Sequence, residues 1–393
     1  MPVAGIQGLR GTGQFDTDHR PTNYREAFTM LEPNGDAPLN ALLAMASSES
    51  TDDPKYNNFR DELPDRVMTV NGAIADTVTG AITLVDSEEN KFAIAGAILI
   101  NSETGEVMHV TTSANNTSVT VTRNIGGTTH QIADAAELFV AGFAAKEGAD
   151  TPTPISFDAV VAYNYTQIFR TAFSVSGTLD KTYLRTGDKY GEAMEKALKL
   201  HMGDIERAML FGTRHIADAN TAEPTRYTGG FINQITGVTD AASGFGAANT
   251  ITEDEFDRFL INTVFAYGSK EKLCFVGPTI AGHLQAIGKN RWNPTQVEGS
   301  YGVNFTRYRT FAGDLLVHLH PQFRKIPGMQ DGMIMIDFPF LKYRYMEGRD
   351  TALLENRQGN GEDRKKSEYM TECGLELTQD KVHHYLKGWT TLG

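Results

Sequence analysis

Three consecutive stretches of the chain decide its fold: AYNYTQIFRTAFSVSGTL (residues 162–179), TGDKYGEAMEKALKLHMGDIERAMLFG (186–212) and TRYTGGFINQI (225–235). The first reads as a short extended arm. In the second, apolar residues recur at i, i+3 and i+4, which predicts one helix over about 187–211 that stops at Gly212. At ~1.5 Å per residue this helix spans about 37 Å, enough to cross a domain. No catalytic pattern lies near it, which favours a spine for assembly over the wall of an active site.

Composition and charge exclude several classes of protein. The 393 residues are 40% hydrophobic and 22% charged, typical of a folded protein of two or three domains. No apolar run approaches the ~18 residues that cross a bilayer, and the first twenty residues lack a secretion signal, so we expect folding in a cytoplasm. The net charge of −13 disfavours tight neutralising contact with nucleic acid but is compatible with a protein that surrounds nucleic acid at a distance.

The amino-acid composition of the chain changes twice before the long helix. Residues 1–65 are rich in turn-forming residues, and only Tyr24–Glu32 and Pro38–Ala46 have helical apolar spacing, which predicts an arm lying across other parts of the protein or a neighbouring subunit. Between about 78 and 142, five β-branched runs separated by turn residues predict a small closed or nearly closed β-barrel inserted in the main fold. These runs are AITLVD (81–86), AGAILI (95–100), GEVMHVTT (105–112), TSVTVTR (117–123) and AELFVA (136–141).

The segment 250–320 predicts a compact α/β unit, and further strands follow. Thr252 and Glu255 form a capping box, a strand follows at 272–277, and a second helix is expected from Pro278 to about Ile287. MIMIDF (333–338), LKYRYM (341–346) and YMTECGLELT (369–378) add strands. The charged run Glu362–Lys366 is interpreted as a solvated loop tip, and HHYLKGWTT (383–391) is too short to assign.

Histidines are the main candidates for chemistry. His318 and His320 lie on one side of an expected strand and would begin a zinc site only with a third ligand from elsewhere. We favour polar residues pointing outward, opposite Leu315, Val317 and Leu319. His283 lies on the apolar stripe of its helix, as a core histidine would. His383 and His384 have no partner that the sequence identifies.

Nothing else in the sequence indicates catalysis. Cys274 and Cys373 are too few for a disulfide framework or a thiolate metal site, and each lies in an apolar strand pattern, which predicts buried reduced thiols. The glycine-rich pieces GLRGTG (8–13) and RNIGGTTH (123–130) lack the strand-then-helix context of a phosphate loop, and we interpret them as turns. We therefore expect no catalytic residue, no cofactor and no metal.

The order of these parts resembles the major capsid proteins of tailed bacteriophages with the Hong Kong 97-like fold. It is most similar to the branch that carries a small β-barrel inserted in the extended loop. The resemblance covers nearly the whole chain and is carried by LEPNGDAPLNALLAM (31–45), FRDEL (59–63), GEVMHVTT, VTVTRNIGGTT (119–129), NYTQIFRTAFSVSGT (164–178), the long helix, RYTGGFINQI (226–235), DLLVHLHPQF (314–323), MIMIDF and GLELTQDKVHH (374–384).

The resemblance implies an α+β fold of five parts. These are an N-terminal arm (1–65), an extended loop (66–157) with its barrel (about 78–142), a peripheral domain (158–229) with the spine helix (about 187–211), an axial domain (230–335) and return strands to the peripheral domain (336–393). It also implies self-assembly as hexamers and pentamers into an icosahedral shell around double-stranded DNA. The implied partners are further copies of the chain, a portal, a scaffolding protein and a cement protein, with no membrane.

Two features of some relatives are not expected here. Lys55, Lys91 and Lys146 lie near the territory in which relatives form a lysine–asparagine cross-link, but no motif selects one, so we expect no cross-linking. The arm lacks a helical, charged scaffolding segment, so scaffolding is expected from a separate protein. Arg60, Asp61 and Glu62, at the junction of arm and loop, are our candidates for contacts between subunits, with solvated surface charge as the alternative.

Three rival interpretations remain at this point. A cellular nanocompartment shell shares the fold and would enclose an enzyme instead of DNA. A tail or adhesion protein would account for the Thr-rich barrel but leaves the long helix unexplained. The third rival is an enzyme, a zinc hydrolase that uses His318 and His320. Stoichiometric metal in the purified protein that is lost on replacing either histidine with alanine would support it.

Overall fold

The computed structural model describes residues 38–393 except 45, 63–65, 86–91, 116, 153, 157, 183–186, 292–295 and 298–304. The chain divides into two compact units. One, the main unit, contains the described residues up to Asn58 together with Ala162–Gly393. The other, which we call the inserted module, is Phe59–Val161. Both helices and strands build the main unit, so the fold class is α+β, as expected.

The secondary structure of the described residues is as follows. The helices are α1 (Pro38–Leu43), α2 (Gly177–Lys181), α3 (Lys189–Phe211), α4 (Phe231–Gln234), α5 (Glu253–Phe259), continued by a π-helical turn (Leu260–Val264), and α6 (Pro278–Arg291), with 3₁₀ turns at Pro321–Arg324 and Phe338–Phe340. The strands are β1 (Ser47–Thr51), β2 (Lys55–Arg60), β3 (Val67–Thr69), β4 (Ala81–Thr83), β5 (Ala97–Asn101), β6 (Val107–Asn115), β7 (Ser118–Thr122), β8 (Glu137–Phe143), β9 (Val160–Tyr165), β10 (Gln167–Ser176), β11 (His215–Ala217), β12 (Thr225–Tyr227), β13 (Gly237–Asp240), β14 (Thr250–Ile251), β15 (Glu271–Val276), β16 (Gln296–Val297), β17 (Phe305–Arg309), β18 (Asp314–Leu319), β19 (Met333–Ile336), β20 (Leu341–Met346), β21 (Ala352–Leu354), β22 (Arg364–Leu377), β23 (His384–Lys387) and β24 (Thr391–Leu392).

The long helix α3 begins and ends within two residues of the expected bounds. Asp188 caps it by accepting from the backbone N–H groups of Tyr190 and Gly191, and a carboxylate there also favours the helix dipole. Its buried side chains recur every four residues, at Ala197, His201, Ile205 and Met209, and form one stripe. At its end, Gly212 lies so close to the carbonyls of Ala208 and Thr228 that a Cβ would overlap them, so the chain turns back only with glycine there.

Two large sheets lie in the main unit, besides the two-stranded pairs β11-β12, β14-β24 and β2-β9. One has the order β1-β20-β22-β10, with β21 also pairing with β22, and α3 packs against β10 and β22. The other is seven-stranded, in the order β13-β23-β19-β15-β18-β17-β16. Its two faces bury different residues, because side chains alternate along each strand. Leu273 and Phe275 of β15 lie in the core shared with α3, whereas Cys274 and Val276 lie in a second core.

The second core lies between the seven-stranded sheet and helices α5 and α6. Its centre is Trp389, which packs on Phe256 with 5.0 Å between ring centroids, and both side chains are fully buried. The expected capping box is present: the Thr252 hydroxyl accepts from the Glu255 N–H, and the Glu255 carboxylate accepts from the Thr252 N–H at 2.9 Å. Helix α6 begins at Pro278, as expected.

The inserted module is a six-stranded antiparallel sheet of order β3-β8-β5-β6-β7-β4, one strand more than the five expected. Its first and last strands also meet: Asn71 donates to the Thr83 carbonyl at 2.8 Å, and Val85 donates to the Thr69 carbonyl at 2.9 Å. The sheet therefore closes on itself and leaves no open edge between β3 and β4. Inside it, Arg123 and Glu106 form a buried ion pair with 2.6 Å between Nη2 and Oε2.

Two expectations for local structure are wrong, and one stretch that the sequence left open forms a strand. Residues 47–51 and 55–60, expected in a poorly structured arm, form β1 and β2, and β1 pairs in parallel with β20. Arg364, Lys365 and Lys366, expected in a loop, begin β22, because β10 offers a register of pairing from Gln167 to Ser176. Residues 384–387, left unassigned, form β23 between β13 and β19. The expected helix Tyr24–Glu32 and the GLRGTG segment lie outside the described residues.

Candidate functional site

The two histidines of the proposed zinc pair are placed differently from the expectation. His320 is fully buried, so our interpretation of it as an outward polar residue is wrong. The physical reason is that His320 lies just past the end of β18, where it caps the 3₁₀ turn Pro321–Arg324 and packs against the buried rings of Phe275 and Phe323. His318 is partly exposed and contacts Phe275 edge-on, with 6.1 Å between ring centroids.

His320 belongs to a buried polar group that ties three distant segments together. Its Nδ1 accepts from the Gln322 N–H at 3.3 Å, which leaves Nε2 as the protonated nitrogen. Nε2 donates to Oε1 of Glu206 at 2.9 Å, and both side chains are fully buried. The backbone N–H of Leu39 donates to the same Oε1 at 2.9 Å. We call Glu206, His320 and the Leu39 amide the arm clamp.

The arm clamp explains why a six-residue helix forms at α1. Such a short helix is marginal in water, and its first N–H groups have no partner within the helix. Glu206 of α3 supplies the missing acceptor and places a carboxylate at the positive end of α1. Leu39 and Leu43 are buried in the core beside Met209 and Phe323. The arm is therefore docked on α3 at this point.

The other histidines and the cysteines take structural roles. His383 accepts from the Asp337 N–H at 3.1 Å and contacts Phe231 edge-on, which supplies the partner that the sequence did not identify. His283 packs on Trp389, and burial lowers its pKa. Burial also lowers the pKa of His384, to about 4. The lowered pKa values of His283 and His384 mean that these two rings are held mainly as neutral groups.

Neither the cysteines nor any acidic cluster in the described residues offers a metal or nucleophile site. Both cysteines are buried and free, as expected, and burial raises the pKa of Cys274 and raises that of Cys373 to about 12. Thiols in that state are poor nucleophiles and poor metal ligands. Among the residues that the structure describes, no group of three or more His, Cys, Asp or Glu side chains lies close enough to hold a metal ion.

A second polar group anchors the strands on which the chain leaves and re-enters the main unit. The carbonyl oxygen of Leu375 accepts from Tyr56 Oη at 2.9 Å, Asn164 Nδ2 at 2.8 Å and Gln234 Nε2 at 3.0 Å. Asn164 also accepts from the Gly229 N–H at 2.7 Å through its side-chain oxygen. Four elements, β2, β9, α4 and β22, are thus fixed around one carbonyl, which we call the neck anchor.

A row of paired charges lies on one face of β22. Glu368, Glu372 and Glu376 are spaced by four residues, so they share a face of the strand, and all three are buried. Their carboxylates pair with the guanidinium groups of Arg170 (2.7 Å), Arg357 (3.4 Å), Arg349 (2.6 Å) and Arg344. This row was not predicted from the sequence, although three glutamates on one face of an apolar strand are a signal that counter-charges must come from neighbouring strands.

The residues suggested for contacts between subunits lie at the end of β2. Arg60 is its last residue and is partly buried, and Asp61 and Glu62 follow it and are exposed. Phe59, beside them, has a side chain that is 74% exposed. This short segment therefore presents both charged and apolar groups at the surface. Of the cross-linking candidates, Lys55 lies over the ring of Tyr163 at 4.5 Å, and Lys91 lies outside the described residues.

No helix in the described parts of the chain is long and apolar enough to cross a membrane. The charged and polar groups named at the arm clamp, the neck anchor and the β22 row pair with groups of the same chain. Each of these groups joins segments that are far apart in sequence, so its role is to hold those segments in position.

Comparison with known proteins identifies a family. The family model for the SU10 major capsid protein matches residues 11–390. The major capsid protein of Pseudomonas phage PaMx41 is 28% identical over 370 residues, which cover 90% of this chain and 86% of that protein.

Among solved structures, the capsid of cyanophage A-1(L) aligns with a TM-score of 0.48 at 11% identity, covering 97% of this chain and 100% of that one. The capsid of an empty GTA particle aligns with a TM-score of 0.46 at 9% identity, covering 94% of each chain. The structure of Microbacterium phage Oxtober96 aligns with a TM-score of 0.44 at 11% identity, covering 96% of this chain and 97% of that one.

Proposed function

Because the chain belongs to the SU10 major capsid protein family, we propose that its copies assemble as hexamers and pentamers into a shell around the double-stranded DNA of a tailed phage. The protein is a phage major capsid protein of the Hong Kong 97-like fold class, a structural component of an icosahedral shell and not an enzyme. The single observation that carries the proposal is the family match, which extends over residues 11–390.

The buried polar groups suit a subunit that must present the same surfaces many times. Head-to-tail contacts close into rings of five or six when the rotation between neighbours allows it, so small differences in geometry decide the ring. The arm clamp fixes the start of the described chain on α3, and the neck anchor fixes the strands that lead to the inserted module. Rigid attachment of such segments supports a repeatable contact geometry.

The charge of the chain supports enclosure of DNA without sequence-specific binding. With a net charge of −13, a wall of many copies repels phosphates and leaves packed DNA free to leave the shell. We propose further that assembly takes place in the cytoplasm of the host bacterium, with a portal, a separate scaffolding protein and a cement protein as partners. No cofactor, metal or membrane enters this function.

We also propose that Arg60, Asp61 and Glu62 contribute to contacts between copies. Their position at the end of β2, beside the exposed Phe59, supports this, because an apolar side chain with charges around it is the usual composition of an interface core and its rim. Replacing Asp61 and Glu62 together with Ser, with Asp52 and Asp53 to Ser as an equally charged control, tests it. Weaker assembly in the first variant alone is expected, and equal assembly in both contradicts it.

Expression of the chain alone, followed by size-exclusion chromatography and negative-stain electron microscopy, tests the main proposal. Closed shells, or rings of hexamer and pentamer size, are the expected result. If only monomers or dimers form, co-expression with the other head genes of the same phage is the decisive second step, and failure there would refute the proposal. Particles from a natural source that hold an enzyme instead of DNA would identify a nanocompartment.

A further inference from the structure

The chain contains three Asn-Gly pairs, at residues 34–35, 71–72 and 360–361, of which the first lies outside the described residues. An Asn-Gly pair has a chemical reactivity of its own. The backbone nitrogen of the glycine can attack the side-chain carbonyl carbon of the asparagine, because glycine has no Cβ to obstruct the approach. The attack requires that the nitrogen lose its proton and that the asparagine backbone rotate, so the local structure decides which pair reacts.

Asn360 and Gly361 form the centre of an exposed turn between β21 and β22. The Glu362 N–H donates to the Gly359 carbonyl at 3.2 Å and closes the turn, and Gly361 has a φ of 88°, which glycine adopts without strain. In the described part of the chain, neither the side-chain amide of Asn360 nor the Gly361 N–H has a hydrogen-bond partner. Both reacting groups are therefore free to approach each other.

The second pair, Asn71 and Gly72, is also exposed, but its backbone is held on both sides. The Gly72 N–H donates to Oδ1 of Asp134 at 2.7 Å, and the Asn71 N–H donates to the Thr83 carbonyl at 2.8 Å. A carboxylate beside the Gly72 nitrogen opposes the loss of its proton, because the nitrogen would become a second negative charge at that point. The same sequence pair is thus blocked here by its surroundings.

The carboxylate nearest in sequence to the reactive turn is oriented differently. Glu362 accepts from the Gly359 N–H at 3.1 Å and pairs with the guanidinium group of Arg364 at 2.7 Å. Its charge is compensated by that of Arg364, and its oxygens are engaged away from the Gly361 N–H. The Gly361 nitrogen therefore does not meet the obstacle that Asp134 places at Gly72.

We propose that Asn360 is a site of spontaneous deamidation in the folded protein. The Gly361 nitrogen gives its proton to solvent base and forms a bond to Cγ of Asn360, while the C–N bond of the side-chain amide breaks and ammonia leaves. Water then opens the resulting cyclic succinimide at either carbonyl, which gives aspartate or isoaspartate. Only water and base take part, so no oxidant, reductant or enzyme is needed. Each event adds one negative charge to a chain whose net charge is −13.

Peptide mass spectrometry on the soluble full-length chain, incubated in mildly alkaline buffer, tests the inference. Trypsin cleaves after Arg357 and Arg364 and yields a peptide whose only asparagine is Asn360. Conversion at Asn360 is compared with conversion at Asn71, and a parallel incubation in urea gives the ratio of the two rates without the fold. This second ratio is needed because the residues before the two asparagines differ. The ratio in the folded protein is expected to exceed the ratio in urea several-fold.

The outcomes decide the inference independently of the proposed function, since the reaction needs only the folded chain and water. Equal ratios in the folded and unfolded chain, or no conversion at Asn360 in the folded chain, would overturn it. Asp134→Ala frees the Gly72 N–H and is expected to accelerate conversion at Asn71, with conversion at Asn360 as the internal standard. An unchanged rate at Asn71 in this variant would overturn the reason given for the difference between the two pairs.

Discussion

Replacing Glu206 with leucine removes the acceptor at the centre of the arm clamp while keeping a side chain of similar length. Two buried donors lose their partner: the Leu39 amide and Nε2 of His320, each 2.9 Å from Oε1. A buried donor left without a partner costs about 1–3 kcal/mol, so the two together cost about 2–6 kcal/mol. Part of this is offset because the variant no longer buries a carboxylate, and we expect a net loss of about 2–4 kcal/mol.

The loss of stability should be concentrated at α1, because no other side-chain acceptor for its first turn is found among the described residues. Hydrogen exchange in assembled particles, read by mass spectrometry on peptides that cover residues 38–43, measures it directly. Since 1.4 kcal/mol corresponds to a factor of ten, exchange in this segment should accelerate roughly 30- to 1,000-fold. Glu195→Leu on the same helix is the matched control, because Glu195 is 66% exposed at its side chain and pairs only with Lys199 on the surface. Its effect should stay below about 0.5 kcal/mol.

The double variant Glu206→Leu/His320→Phe sharpens the test. It removes the buried Nε2 donor of His320 as well as its acceptor, and part of the lost stability should return. The Gln322 N–H also loses its acceptor Nδ1, but this amide is only partly buried, so water replaces the lost bond at a lower cost. Unchanged exchange at residues 38–43 in Glu206→Leu would refute the capping role of Glu206. Equal losses in the single and double variants would refute the role assigned to His320.

Three further predictions concern the main unit. Gly277→Ala should lower the melting temperature, because a Cβ at this position overlaps two backbone carbonyls that cannot move aside. Gly282 lies within α6 with open space around its Cα, so Gly282→Ala should stabilise the protein by about 0.5–1 kcal/mol. Similar melting temperatures of the two variants would contradict this reasoning. Lys272→Met should destabilise the protein by about 3 kcal/mol in urea titration, because the buried ammonium of Lys272 donates to three backbone carbonyls. Lys270 is exposed, so Lys270→Met is a control with little expected effect, and an equal loss of stability in both variants would exclude this explanation. Burial lowers the pKa of His384 to about 4, so between about pH 6.5 and 4 the unfolded chain binds a proton that the folded chain does not. As the pH falls through that window, the free energy of unfolding should decrease by about 2–3 kcal/mol. His384→Leu should flatten this decrease, and an unchanged pH dependence in that variant would assign it to another group.

The parts of the fold that could be predicted from the sequence are those whose signal is local. The long helix α3 has a periodic stripe, a capping aspartate and a terminal glycine within one stretch, so its bounds follow from residues that are neighbours in sequence. The Thr252–Glu255 capping box is equally local. The β10–β22 pairing is not: Arg364, Lys365 and Lys366 have the composition of a solvated loop, and only the register offered by residues 167–176, far away in sequence, makes them a strand.

The arm clamp could not be predicted from the sequence, because it too depends on residues that are far apart in the chain. His320 looks like an outward residue when its strand is judged alone, because alternation assigns faces only relative to an unknown partner. Whether both faces are covered depends on where α3, α5 and α6 pack, and strand composition does not encode this. Glu206 looks like one of several charged residues on the helix, yet it lies on the same stripe as Leu210 and is fully buried. A charged residue on the apolar stripe of a helix is the one local signal that was present.

The arm clamp also constrains how the arm behaves during assembly. If α1 left its place, Glu206 would lose the Leu39 amide, and the apolar surface that covers Leu39 and Leu43 would be opened to water. Burial of two leucine side chains contributes about 3–6 kcal/mol, to which the lost hydrogen bond to a charged group adds about 1.5–3 kcal/mol. Undocking is therefore rare in a folded subunit, and residues 38–43 keep the same place on α3 in every copy. We therefore expect a defect at Glu206 to lower the uniformity of shells as well as the stability of the single chain.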